Sequence, residues 1–268
     1  MAGPAAEQLV NEPEPQIEVE GDAARQAEKH AAMFQMALQS ANGGKLENAE
    51  EICRQILQED AFHPSALYML GALYCQRGKL DAGIDYLQRL VKLRPDSVAP
   101  YFQLGNALAA RNRPEEAVAQ YEQALTVDPD NADIHTNLGL AYSRLQRANE
   151  AEAAFRRAVE LNPQNFSALN NLGNCLAAGG DLAAAEAMFR RALATSPNFA
   201  PAHNNLGNVL REQGKLEEAA AAYRDAINLN NNYFEAFFSL GNVLSQQQQY
   251  EAAELVYRRA VELRPDHL

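Results

Sequence analysis

Six glycines, Gly71, Gly105, Gly139, Gly173, Gly207 and Gly241, stand 34 residues apart without a slip, and a leucine precedes each of them. Twelve residues after each glycine comes a small residue (Gly83, Ala117, Ala151, Ala185, Ala219, Ala253). Twelve beyond that there is usually a proline (Pro95, Pro129, Pro163, Pro197, Pro265). A period of this length, held over most of a 268-residue chain, specifies a stack of like units and not one globular core.

Within each unit, two stretches of about 14 residues carry apolar positions three and four apart, the helical period. Turn residues such as Gly44, Gly78, Gly180 and Gly214 separate them, so the unit is a helical hairpin. The small residues mark where the two helices approach closely. Tyr121, Phe155, Phe189, Tyr223 and Tyr257 are large enough to fill the space between units, and the prolines end the second helices. One hairpin cannot bury its apolar face alone, so stacked neighbours must share a continuous core and wind into a superhelix with an inner and an outer face.

Departures from the pattern carry their own expectations. Extending the register backwards gives a weaker first unit with Met36, Ala37, Ala49 and Ile56. Ala61 and Asn231 replace the stop proline and Gly83 stands where alanine is usual, which predicts looser first units and a looser junction between the sixth and seventh. Gly83→Ala is expected to stabilise the array by up to about 1 kcal/mol, because glycine inside a helix costs that much in backbone entropy. Ahead of the units, residues 1–29 hold seven acids against Arg25 and Lys29, with Pro4, Pro13 and Pro15. That composition predicts a solvated, disordered tail, with good helix formers from about Ala23. The sequence stops at Leu268, just after the last second helix, with no polar cap of the kind a solenoid needs. The expectation is a fragment of a longer chain or an end covered by another molecule. Leu255, Val256 and Val261 on that helix predict self-association.

With 23 basic against 35 acidic residues the formal charge is -12, which argues against nucleic acid or an anionic membrane as the principal partner. No apolar run approaches the roughly 18 residues of a membrane span, and no apolar secretory segment opens the chain. Cys53, Cys75 and Cys175 lack metal-ligand spacing, so the reading is a reduced, cytoplasmic protein with no metal and no cofactor. The stretches Gly71 to Lys79 and Gly207 to Lys215 resemble a phosphate-binding loop only superficially: the glycines are too far apart, and leucine follows the lysine where a hydroxyl is required. His135 and His203 are expected to pack at a groove edge, and Cys53 to be a small buried hydrophobe. No nucleophile, base and orienting partner can be assembled, so the chain is not expected to be an enzyme.

The 34-residue hairpin with these columns resembles the tetratricopeptide repeat. The resemblance implies an all-α, right-handed superhelical solenoid of about seven hairpins, at 30–63, 64–97, 98–131, 132–165, 166–199, 200–233 and 234–267. It also implies that the first helix of each unit lines the concave face through positions two, five, six, nine, twelve and thirteen. Position five then holds Phe34, Tyr68 and Phe102 in the first three units, followed by Thr136, Asn170, Asn204 and Phe238. Position six holds Asn137, Asn171 and Asn205, and position nine holds Asn106, Asn174, Asn208 and Asn242.

Asparagine is a mediocre helix former, so a ladder of it in mid-helix reflects either a duplicated framework or a ligand. A carboxamide offers a donor and an acceptor together, the complement of a peptide bond. The expected partner is therefore a protein or extended peptide held by its backbone over units four to six. Alanine at Asn137, Asn171 and Asn205 together is expected to cost binding while leaving helix stability level or raised. A similar ladder lines the repeats of O-linked N-acetylglucosamine transferases, and Asn-Leu-Gly-Asn at 171–174 and 205–208 is similar to theirs. This implies an alternative, the substrate-holding segment of a larger glycosyltransferase-like enzyme whose catalytic region is absent. Repeat clamps for acidic C-termini carry lysine or arginine at positions two, five and six. Here only Arg144 and Arg211 are basic groove candidates.

Overall fold

The computed structural model describes residues 16–265, and among these every regular element is a helix. The chain divides into two compact units, Met1–Pro95 and Asp96–Leu268. The first contains α1 (Gln16–Asn42), α2 (Leu46–Glu59), α3 (Pro64–Gln76) and α4 (Leu80–Leu93). The second contains α5 (Val98–Ala110), α6 (Pro114–Val127), α7 (Ala132–Arg144), α8 (Ala148–Leu161), α9 (Phe166–Ala178), α10 (Leu182–Thr195), α11 (Ala200–Glu212), α12 (Leu216–Leu229), α13 (Phe234–Gln246) and α14 (Tyr250–Leu263). Helix α1 begins at Gln16, earlier than the expected start near Ala23; Ala, Glu, Gln and Arg dominate its later turns and favour helix. The expectation of a disordered tail at residues 1–15 lies outside the described residues.

Starts, turns and stops are set locally. Asn131 and Asn165 cap α7 and α9, their side-chain oxygens accepting from Ile134 N at 3.2 Å and Ala168 N at 3.0 Å. The turn inside each hairpin passes through one left-handed residue. Gly44, Gly78, Gly180 and Gly214 take it at φ 74–85°, and Asn112, Gln146 and Gln248 at φ 59–62°. A Cβ at any of those four glycines would meet nothing within 4 Å, so conformation and not space selects glycine there. Left-handed glutamine is strained by about 1–2 kcal/mol. Gln146→Gly is accordingly expected to raise stability by about 0.5–1 kcal/mol after the extra flexibility of the unfolded chain is subtracted. A urea midpoint unchanged or lowered would count against it.

The junctions without proline take the same backbone path as one with it. Asp60, before Ala61, has φ/ψ of -132°/91° and Asn230, before Asn231, -143°/96°, close to the -133°/90° of Asn162 before Pro163. A side-chain bond closes the turn with or without proline: Phe62 N donates to Asp60 Oδ1 and Asn232 N to Asn230 Oδ1, both at 3.0 Å, and Gln164 N to Asn162 Oδ1 at 3.1 Å across Pro163.

The glycine comb explains the aromatic column. A Cβ at Gly105, Gly139, Gly173, Gly207 or Gly241 would lie 2.5–2.7 Å from a ring carbon of Tyr121, Phe155, Phe189, Tyr223 or Tyr257. Each ring therefore lies on the bare backbone of its own hairpin before it reaches a neighbour. Phe189 and Tyr223 continue into one core with Leu206, Val209, Leu240 and Val243. Gly83 has a different role. Its Cβ would strike the Cys75 sulfur and lie 2.9 Å from the Gly71 carbonyl oxygen, so the expected gain from Gly83→Ala is overturned. The sulfur of Cys75 fills the space that the alanine methyl occupies in other hairpins.

A polar cluster around the buried Glu50 and Tyr74 joins α2 to α3. Tyr74 donates its hydroxyl to Glu50 Oε1 at 2.8 Å, Arg54 pairs with the same oxygen at 2.7 Å, and Arg77 donates to Glu50 Oε2 at 2.5 Å. Arg54 also donates to the Tyr74 hydroxyl, and the Tyr74 ring stacks on Tyr86 with centroids 5.6 Å apart.

Candidate functional site

In the second unit the first helices of successive hairpins touch one another, α5 on α7, α7 on α9, α9 on α11 and α11 on α13. The second helices make no comparable contacts among the described residues. The first helices therefore occupy the crowded inner side of this stack, and residues at their inner positions form its floor.

The asparagines on that floor are not equivalent. Asn170 and Asn204, each only 6% exposed, are buried and not open to a groove, as is Thr136, whose hydroxyl donates to Ala132 O at 2.8 Å. Position five faces the neighbouring first helix in these hairpins, where a short polar side chain is covered. Asn205 donates its amide to Asn170 Oδ1 at 3.1 Å. Asn204 Oδ1 lacks any partner among the described residues; the following hairpin carries Ser239 at the position from which Asn205 reaches Asn170.

At position nine, the carboxamide oxygens of Asn106, Asn208 and Asn242 accept the hydroxyls of Tyr121, Tyr223 and Tyr257 at 2.7–2.8 Å. Asn106 Oδ1 also accepts from Asn137 at 2.8 Å. Much of the ladder is thus framework. The exceptions follow from one atom: hairpins four and five carry Phe155 and Phe189 in place of tyrosine, so no hydroxyl reaches position nine. Leu140 occupies that position in hairpin four and is 40% exposed. Asn174 occupies it in hairpin five and is exposed. Neither Asn174 nor half-buried Asn171 has a hydrogen-bond partner among the described residues. Both line a pocket of about 450 Å³ between α7, α8 and α9, with Leu140, Phe155, Glu152 and Cys175. Leu140 and Glu152 did not stand out in the sequence, although Leu140 interrupts the asparagine column and Phe155 the tyrosine column.

Three of the aromatic position-five residues are half-buried. Phe34 and Tyr68 lie in the first unit, the Phe34 ring 6.1 Å from that of His63. Phe102 lies in the second, 6.2 Å from Tyr121. Exposed Phe238 sits 6.0 Å from both Phe234 and Tyr257.

The histidines have structural partners. His135 Nε2 bonds Pro129 O at 2.9 Å and His203 Nε2 bonds Pro197 O at 2.8 Å. Burial pushes the Cys53 thiol up to about 12, which keeps it protonated. Among the described residues no three His, Cys, Asp or Glu side chains cluster as a metal site, and no helix is long and apolar enough to cross a membrane. Arg144 donates to Ala109 O at 2.5 Å and so ties one hairpin to the last. On α14, Tyr250, Leu255 and Val261 are exposed, whereas Val256 packs into the core and is not part of an open face.

Both units are thus built of repeated helical hairpins, and in the second unit the first helices pack side by side along one side of the stack. It belongs to the tetratricopeptide-repeat family. Family models described as tetratricopeptide or TPR repeat match residues 43–108, 105–146, 136–201, 188–221, 207–248 and 234–267. No curated protein matches the chain. Among solved structures it is similar to YrrB, described as a TPR protein with an unusual peptide-binding site, at 24% identity over 68% of this chain and 93% of that one, with a TM-score of 0.57. It is also similar to pilF of Pseudomonas aeruginosa, at 20% identity over 76% of this chain and 92% of that one, with a TM-score of 0.68. A tetratricopeptide repeat protein from Parabacteroides merdae aligns at 17% identity over 90% of this chain and 95% of that one, with a TM-score of 0.69. At these identities the likeness establishes the fold.

Proposed function

We propose that this chain is a non-catalytic protein-interaction scaffold that holds an extended peptide along the first helices of its second unit. The observation that carries the reading is the pair of unpartnered carboxamides, Asn171 and Asn174, beside an open pocket. Both carboxamides are accessible and uncommitted, and a peptide backbone supplies the matching donor and acceptor. The solenoid architecture supports this, since stacked repeats offer long concave surfaces, and the similar YrrB carries a peptide-binding site by its own description.

The structure changes the choice of test. Asn205→Ala would strand the buried Asn170 oxygen at a cost of about 1–3 kcal/mol, so the triple alanine variant would confound binding with folding. Asn171→Ala/Asn174→Ala removes no intramolecular bond and replaces two poor helix formers. Peptides selected from a random-sequence display library on the parent chain should bind this variant at least about tenfold more weakly by fluorescence polarisation. Its thermal melt should be unchanged or slightly raised. Equal affinity in a folded variant would remove these residues from the binding surface.

A further inference from the structure

We propose that the pocket between α7, α8 and α9 receives a basic side chain, arginine or lysine, of the bound peptide. This rests on the groove reading above and assigns the chemistry of one subsite within it. The pocket is about 450 Å³ and opens beside Phe155, which has no hydroxyl to bond a position-nine side chain.

Its walls are of two kinds. Leu140 and the edge of Phe155 offer apolar surface, while Asn171, Asn174 and Glu152 offer acceptors. No lysine or arginine lines it, and Glu152 is the one lining carboxylate. Glu152 is half-buried; Oε1 takes Arg156 at 2.5 Å, and Oε2 has no partner among the described residues. Arg156 offsets part of that charge from outside the pocket. Burial raises the Cys175 thiol above its ordinary value, and the Glu152 charge adds to the rise.

Each alternative occupant meets a penalty. An acidic side chain would be repelled by Glu152. An apolar one would cover three acceptors without supplying donors. A basic side chain lays its methylenes on Leu140 and turns its head toward the acceptors, and arginine has five donors to distribute. A chain of formal charge -12 also draws cationic peptides toward it.

The test is a random-peptide display library panned on the intact chain, followed by a selected peptide and its counterpart with norleucine at the enriched basic position. Norleucine keeps the stem and deletes the charge. On the parent this change should weaken binding by about tenfold or more. On Glu152→Gln, which circular dichroism should show folded, the same change should cost no more than about threefold, since a double-mutant cycle isolates the pair. Selected peptides that depend on Asn171 and Asn174 but share no basic position would overturn the pocket assignment and leave the groove standing. An equal norleucine penalty on parent and Glu152→Gln would overturn it too, because the charge would then be read elsewhere. Binders indifferent to Asn171 and Asn174, or no binders at all, would sink the groove reading and this one with it.

Discussion

Replacing Glu50 with glutamine lowers the stability of the first unit by about 2–3 kcal/mol at neutral pH, because a nearly buried charge pair is broken from one side. Glutamine keeps one acceptor for Tyr74 but leaves the Arg77 guanidinium and part of Arg54 facing a neutral amide. The Tyr74 hydroxyl bond, against the cost of burial and with the charges of Arg54 and Arg77, holds the Glu50 carboxyl below the usual carboxylate range. A carboxylate whose folded value is depressed stabilises fully above its unfolded value, near 4.3, and loses that contribution as pH falls through the lower, folded one. Parent and variant should therefore differ from neutrality down to about pH 4.3 and converge below it. Urea unfolding across that range, with amide exchange along α2 and α3, reads the effect. A gap independent of pH would show that glutamine acts through packing.

Gly83→Ala lowers stability by about 1–3 kcal/mol, the usual cost of overpacking a close contact. Helix propensity alone points the other way by up to about 1 kcal/mol, so the sign of the result separates the two effects. Cys75→Ala in the same chain should recover part of the loss by clearing the sulfur. The rest should persist, since the Gly71 carbonyl would still lie 2.9 Å from the added carbon. A higher thermal midpoint for Gly83→Ala would show that α3 and α4 separate at little cost.

The reversal at Gly83 marks the limit of what the sequence carried. The hairpin unit, its turns and its stops follow from residues acting locally, so the glycine and proline spacing was enough to read them. At Gly83 the helix-propensity argument fails because the space is set by Cys75 across the hairpin, a residue eight positions away in the sequence. The asparagine ladder was legible as a column and not as a site. Asn106, Asn208 and Asn242 look like Asn174 on one strand of text, and only the residue 15 positions later distinguishes them, tyrosine in three cases and phenylalanine in the fourth. Burial of Asn170 and Asn204 depends on how closely neighbouring first helices approach, which no single helix encodes.

The bonds that tie hairpin to hairpin span short stretches of chain: Asn205 to Asn170 and Arg144 to Ala109 each bridge 35 residues, and Asn137 to Asn106 bridges 31. Closing loops of that size carries a small entropic charge at each step, and chains dominated by such near contacts fold fast. A hairpin of the second unit therefore needs only its immediate neighbour, and no distant part of the chain, for these bonds to close.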